Sequence, residues 1–398
     1  MTGRERIQTA LSHCEPDRIP RDLGGTESSG LTALAHVTLS RHLGMAHTPK
    51  VFEPFQYVSY VDNPTHKRFG IDTGNLTPEP TNWSERVHPN GFEVLLPEQW
   101  HEDRSPDGST VVRRADGTAA ARRPAGGFYF DPVNPPLAGV SDAGSLQAHR
   151  ATVTSFDWPF FVDEGLQQLQ DRARLLHESG TCVVFNLCCH LLAAGQLLRG
   201  YENFMVDLAL NPTFAEALLD MLVLGYAERV DRLAPVLREL VDVVLLNDDL
   251  GTQQGPMLSP SLYRQLVKPH QKRLFAHVKR AFDAPILFHS CGSVREFIPD
   301  LVEVGVDALN PVQLSAAGMA PSTLKAEFGD VLTFWGGGVD TQTVLNRDTP
   351  AEVRDAVRRN ADVLGPGGGF VFCQVHNIQP DVPPENVVAM FEALDDLA

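Results

Sequence analysis

Short apolar runs separated by polar helical periods dominate the chain from residue 150 onward. They are TCVVFNL (181–187), VDVVLLN (241–247), APILFH (284–289), VDALNPV (306–312), VLTFWGG (331–337) and GFVFCQV (369–375). Each has strand length, and several are apolar at consecutive positions, as in a parallel sheet covered on both faces. The helical periods between them have legible ends. In TPAEVRDAVRRNADVLG, Thr349 reads as N-cap, Pro350 as the first helical residue and Glu352 as the partner in a capping box. Val353, Val357 and Leu364 share one face, and Gly365 is expected to end the helix in the left-handed conformation. SVREFIPDLVEVG offers Ser293 and Glu296 at box spacing, but Pro299 removes an interior hydrogen bond, which predicts a kink or a later helix start.

Before residue 150 the pattern gives way to turn signals. Asp107-Gly108 and Asp116-Gly117 predict hairpins between short antiparallel strands. RIPRDLG at 18–24 reads as an opening strand, which brings the count close to eight, with one strand unplaced. The best fit in the α/β class is a (β/α)8 TIM barrel with an N-terminal insertion of short antiparallel strands. An open doubly wound sheet is the alternative. Residues 1–398 are expected to form one barrel domain, with the insertion at about 75–140.

Composition narrows the partners more than the fold. Hydrophobic residues make up 43% of the 398 positions and charged residues 21%, as in an ordinary globular protein. Fifty acidic against 33 basic residues leave a net charge of −17, which disfavours nucleic acid and anionic membrane surfaces and points to a small-molecule substrate. The stretch MTGRERIQTALSHCEP lacks the apolar core of a signal peptide. A cytoplasmic location, with the six cysteines reduced or metal-bound, is therefore expected.

In a barrel, reactive side chains come from the C-terminal ends of the strands. Reading each run to its end yields Asp248 and Asp249, His289 and Cys291, Asn310 and Gln313, Trp335 and Asp340, and finally Cys373 and His376. The bland reading is that polar residues gather wherever a chain leaves the core. His289 and Cys291, two apart on one strand, would point to the same face and bring the nitrogen and sulfur donors that zinc prefers. The competing reading is a packed cysteine beside a hydrogen-bonded histidine. A third ligand is offered by Cys373 or His376, which an unbroken strand would place on opposite faces. Cys188-Cys189-His190 reads as structural, and GPGGGF at 365–370 lacks the lysine of a phosphate loop.

HSCGSVREFIPDLVEVGVDALNPVQ, FWGGGVDTQTVL and GGGFVFCQVHNIQPDVPPENVVAM resemble the uroporphyrinogen decarboxylase superfamily. Within it they are most similar to the zinc-dependent, corrinoid-linked methyltransferase branch. The resemblance covers about residues 180–398 and implies a TIM barrel, which often pairs as a homodimer. It also implies zinc held by His289 and Cys291, with His376 favoured over Cys373 as third ligand. The arginine-bearing N-terminal motif by which the decarboxylases grip a tetrapyrrole is missing from RIPRDLGGTESSG.

The expected activity is therefore zinc-dependent methyl transfer between a methyl donor, such as a corrinoid on a partner protein, and a thiol or similar acceptor. Asp249 and His376 are the expected catalytic residues, and Asp248, Asn310, Gln313, Trp335 and Asp340 the expected substrate contacts. Two alternatives stand beside it: a carboxy-lyase acting on a small carboxylated substrate, and a binding protein with a degenerate pocket.

Overall fold

A computed structural model describes residues 1–113, 117–156 and 164–397. Seven parallel strands form one curled sheet, each hydrogen-bonded to the next in chain order. They are β1 (Thr73–Leu76), β2 (Cys182–Asn186), β3 (Val243–Asn247), β4 (Ile286–His289), β5 (Ala308–Asn310), β6 (Thr333–Trp335) and β7 (Phe370–Val371). Helices Leu166–Glu178, Pro212–Leu237, Lys268–Phe282, Ile298–Val304, Pro321–Phe328 and Pro350–Leu364 carry the crossovers between successive strands. This is the βα alternation expected of a TIM barrel.

The opening segment closes the ring. Arg21 pairs in parallel with Phe372. The Asp22 N–H donates to the Phe372 carbonyl and the Phe372 N–H to the Pro20 carbonyl, both at 2.8 Å, while on the other side the Asp72 N–H donates to the Arg21 carbonyl at 2.9 Å. Residues 20–22 are thus the eighth stave, held by few bonds because Pro20 has no N–H to give. The strand left unplaced by the sequence is β1, whose TGNL has no apolar run.

Inside the ring, Cys182, Val184, Val243, Leu245, Leu287, Ala308, Trp335, Val371 and Cys373 pack into one cluster with Ile7 and Ala10. Those two residues belong to α1 (Gly3–Leu11), which begins at a capping box formed by Thr2 and Glu5. Arg6 ties this helix to Asp72 at 2.6 Å. The interior is therefore a packed core with a helix seated against it. The surrounding helices pack on the outer faces in a much larger apolar cluster.

Residues 83–132 carry short antiparallel strands: the hairpin Trp83–Val87 with Glu93–Pro97, and the sheet of Glu102–Arg104, Thr110–Arg113, Ala119–Arg123 and Asp131–Pro132. The turn at Asp107-Gly108 forms, with Gly108 at φ +82°. Asp116 lies outside the described residues. Phe55, Tyr57, Phe92, Val94, Leu96, Trp100 and Phe130 build a separate small core under these strands.

Two helix ends refine the sequence reading. Thr349, Pro350 and Glu352 start their helix with the expected box, but Gly365 is right-handed at φ −71° and the left-handed turn falls at Gly367. Ser293 does not cap, because its hydroxyl donates to the Ala317 carbonyl. The helix begins later, at Ile298, with Pro299 in its first turn where a missing N–H costs nothing. Among the described residues no single helix is long and apolar enough to cross a membrane.

Candidate metal centre

β4 ends at His289, so Cys291 is not on the strand but in the loop beyond it. What brings it back is a set of backbone anchors. The Cys291 N–H donates to Asp249 Oδ1 at 2.9 Å and the Gly292 N–H to Gln313 Oε1 at 2.7 Å. Gly292 sits at φ +84° and meets Gly251 backbone to backbone; a Cβ on Gly292 would lie 2.5 Å from the Gly251 carbonyl carbon. Two glycines crossing at this range let the loops after β3 and β4 interlock. The result places Cys291 Sγ 3.5 Å from His289 Nε2.

β7 ends at Val371, and its continuation divides the two late candidates. Cys373 keeps the inward direction and is wholly buried in the barrel interior, beneath the Asn310 amide that reaches its sulfur at 3.7 Å. His376 lies past the strand, where it joins His289 and Cys291. Donor atoms of these three residues all lie within 4.8 Å of one another. The structure therefore gathers His289, Cys291 and His376 and leaves Cys373 apart.

The His289 tautomer follows from its neighbours. Asn310 Nδ2 donates to the Trp335 carbonyl at 3.0 Å, which fixes the orientation of the amide. Asn310 Oδ1, an acceptor only, then sits 2.8 Å from His289 Nδ1, so Nδ1 carries the proton. Ser28 donates to the same oxygen. The Nε2 lone pair is left facing Cys291, the arrangement by which an outer partner prepares a metal-binding histidine.

Charge around the cluster is acidic. Glu27 accepts from Asn186 Nδ2 at 3.0 Å and from Asn247 Nδ2, and the half-exposed Asp249 carboxylate stands 3.9 Å from His289 Nε2. Burial pushes the Cys291 thiol well up, and the Asp249 and Glu27 carboxylates push it further. Burial, then the neighbouring His289, brings His376 down to about 4, so its imidazole is neutral near pH 7. A thiol that resists ionising beside carboxylates, with the neutral His376 imidazole near it, suits a divalent cation far better than it suits an isolated thiolate. Tetrahedral zinc with bonds of about 2.0 Å to nitrogen and 2.3 Å to sulfur sets those atoms roughly 3.5 Å apart, which is the His289–Cys291 separation.

All five expected substrate contacts are occupied otherwise. Asp248 is buried and accepts the N–H groups of Leu191, Leu192 and Ala193 at 2.8 to 3.0 Å, anchoring the start of the helix Leu192–Arg199. Trp335 is fully buried in the barrel interior and donates its indole N–H to Asp22 at 2.7 Å. Asp340 Oδ1 closes a local turn with the Gln342 and Thr343 N–H groups. Gln313 holds the Cys291 loop, and Asn310 works through His289. Asp248, Asp340 and Gln313 satisfy backbone N–H groups where the chain leaves the core, while Trp335 and Asn310 bond the side chains of Asp22 and His289.

The sequence reading missed Glu27, Ser28, Glu53 and Tyr129. Glu27 and Ser28 lie a few residues past the stave 20–22, so the rule applied to the other strand ends finds them once that segment is read on into the loop beyond it. Glu53 is buried in the strand Val51–Glu53. Tyr129 reaches over from the small antiparallel layer, where its hydroxyl accepts from Gln379 Nε2 at 3.0 Å, and its own ionisation is raised by burial and by the nearby Cys291.

Comparisons with known proteins agree with this architecture. A uroporphyrinogen decarboxylase from Thermus thermophilus is 30% identical over 141 residues, 35% of this chain and 38% of the relative. One from Legionella pneumophila is 24% identical over 254 residues, 60% of this chain and 66% of the relative. The matched part is thus less than two thirds of either relative's length. A methyltransferase from Methanosarcina mazei superposes along 100% of this chain and 99% of its own, with TM-score 0.57 and 16% identity, a likeness of fold. The family model described as uroporphyrinogen decarboxylase (URO-D) matches residues 180–397, the part that carries β2 to β7 and all three clustered donors, and the chain belongs to that family.

Proposed function

We propose that the protein is a zinc-dependent methyltransferase that passes a methyl group from a donor such as a corrinoid on a partner protein to a thiol. The observation that carries this reading is the convergence of His289, Cys291 and His376 with the His289 tautomer set by Asn310. Three protein donors leave a position for a substrate, as catalytic zinc sites do. Zinc held there would supply the positive charge that lets a bound thiol lose its proton near neutral pH.

The protein's own groups account for the rest. Asn310 and Ser28 keep the Nε2 lone pair of His289 turned to the site. Gln313 and Asp249 fix the Cys291 loop through its backbone. Asp249, open to solvent at the rim, takes the thiol proton. The acceptor sulfur then forms its bond to the methyl carbon while the electron pair of the broken bond stays with the donor. Fold likeness to the Methanosarcina mazei methyltransferase over nearly the whole of both chains supports this reading.

Carboxy-lyase chemistry is the second reading, favoured by the names of the sequence relatives. Against a tetrapyrrole rich in carboxylates stand Glu27 and Asp249 at the mouth. Arg18 and Arg21 are committed elsewhere, to Asp72 at 2.8 Å and Asp395 at 2.7 Å. The deciding experiment incubates zinc-loaded protein with methylcobalamin and a panel of small thiols. Thioether product that disappears in Cys291→Ser supports methyl transfer. No product, together with carbon dioxide release from a carboxylated substrate by the same preparation, favours the lyase.

A further inference from the structure

A second group of donors lies outside the barrel mouth, where α2 (Ala33–His42), the loop after it and the start of α3 (Asn63–Phe69) meet. His36 comes from α2, His47 from the loop and Asp62 from the N-cap of α3, and donor atoms of the three lie within 4.8 Å of one another. The imidazole rings are 3.9 Å apart between centroids. His36 is completely buried, and its Nε2 has no hydrogen-bond partner.

That nitrogen faces Asp62 Oδ1 at 3.6 Å, beyond hydrogen-bond range, and the other carboxylate oxygen is 3.4 Å from His47 Nδ1. The far side of the His36 ring is already satisfied: Nδ1 has Ser59 Oγ at 2.9 Å and His47 Nε2 at 3.1 Å. A proton on Nδ1 leaves the Nε2 lone pair aimed at a carboxylate with nothing between them. A buried orphan of this kind is costly, about 1–3 kcal/mol. A cation between Nε2, Nδ1 of His47 and the carboxylate removes that penalty. For bonds of about 2.0 Å, tetrahedral geometry sets ligand atoms roughly 3.3 Å apart, close to the separations found.

We infer that His36, His47 and Asp62 form a second divalent-metal site, with two imidazoles and one carboxylate, of the type that takes zinc or a similar first-row ion. Its ligands come from three separate stretches, so the ion clamps α2 to the start of α3. That places it beneath the small sheet of Leu31–Thr32, Val51–Glu53 and Val58–Ser59, which carries Glu53. Ser59 supplies the outer hydrogen bond that metal-binding histidines ordinarily have. Water completes the coordination on the side where His47 reaches the surface. This site stands independently of the chemistry at the barrel mouth.

Cobalt(II) titration of the full-length protein distinguishes the two sites. The expected result is two equivalents bound per chain in the wild type. Cys291→Ser should abolish the sulfur-to-cobalt charge-transfer band and keep one equivalent with visible ligand-field bands. His47→Gln, at a partly exposed loop position that folding tolerates, should keep the charge-transfer band and lose the other equivalent. A single equivalent in the wild type that His47→Gln leaves intact overturns the inference, as does a second equivalent that survives in His47→Gln; His36, His47 and Asp62 are then only a histidine–aspartate cluster. No binding at all overturns it together with the reading of the barrel mouth.

Discussion

The side-chain oxygen of Asn310 and Nδ1 of His289 are 2.8 Å apart, and this single contact decides which imidazole nitrogen is free. Replacing Asn310 with Ala removes the acceptor while leaving every donor of the cluster in place. Zinc affinity should fall by about 10–100-fold, measured by competition with a chromogenic chelator. Unchanged affinity would show that the tautomer is set by something else.

Cys291 and Cys373 should behave oppositely although both follow strand ends. Cys291→Ser is expected to lose the metal at the barrel mouth, because oxygen replaces the only sulfur donor in the cluster. Cys373→Ser should keep it, since that residue is packed in the barrel interior. Elemental analysis of the two purified variants, alongside His47→Gln to account for the outer site, checks both. Retention by the first or loss by the second would reverse the assignment.

Asp248 is expected to matter for stability rather than for turnover. Burial pushes its carboxyl up to about 7, against the pull of three backbone N–H groups. In Asp248→Ala those N–H groups lose their acceptor inside the protein, at a cost of about 1–3 kcal/mol. The urea midpoint should drop with an unchanged slope, while metal content at the mouth is retained.

A pH effect should come from Glu53. Burial pushes its carboxyl up to about 8, with Glu27 adding to the rise and the Gln56 and Phe55 N–H groups opposing it. The folded state therefore keeps a proton that the unfolded chain, with an ordinary value of 4.5, releases between about pH 4.5 and 8. This contribution to stability is complete at the acidic end of that window and is lost as the pH rises through it. The loss is on the order of a few kcal/mol. Glu53→Gln should flatten the decline in unfolding free energy between about pH 5 and 8; an equally steep decline in the variant would assign it to other groups.

The barrel and the pair His289–Cys291 were legible because apolar runs and donor types are written locally. The reason for their meeting was not. On paper they share a strand face, whereas the structure brings Cys291 back through a crossing of Gly251 and Gly292 that involves two separate loops. β1 escaped notice because Gly74 lies where a Cβ would meet Thr181 and Leu176 at 2.8 and 3.0 Å, so close packing excludes the apolar residues that advertise a strand. Asp248, Trp335 and Asp340 were drawn into the site by position alone. Their partners are backbone groups and an interior aspartate, which no linear pattern reveals. The choice between Cys373 and His376 depended on where β7 stops, which strand periodicity leaves undefined.

The single bridge between Arg21 and Phe372 has a consequence for biosynthesis. The stave that seals the cylinder precedes all seven sheet strands in the chain, and the edge it must grip belongs to the last of them. Until that strand is made the nascent chain holds an open, curled sheet whose stave at 20–22 has β1 as its sole flank. Glu27 and Ser28 follow that stave, and His376 follows the edge it grips, so the mouth is completed in the same event that shuts the ring. A ribosome stalled before residue 372 would carry most of the fold and none of the finished centre.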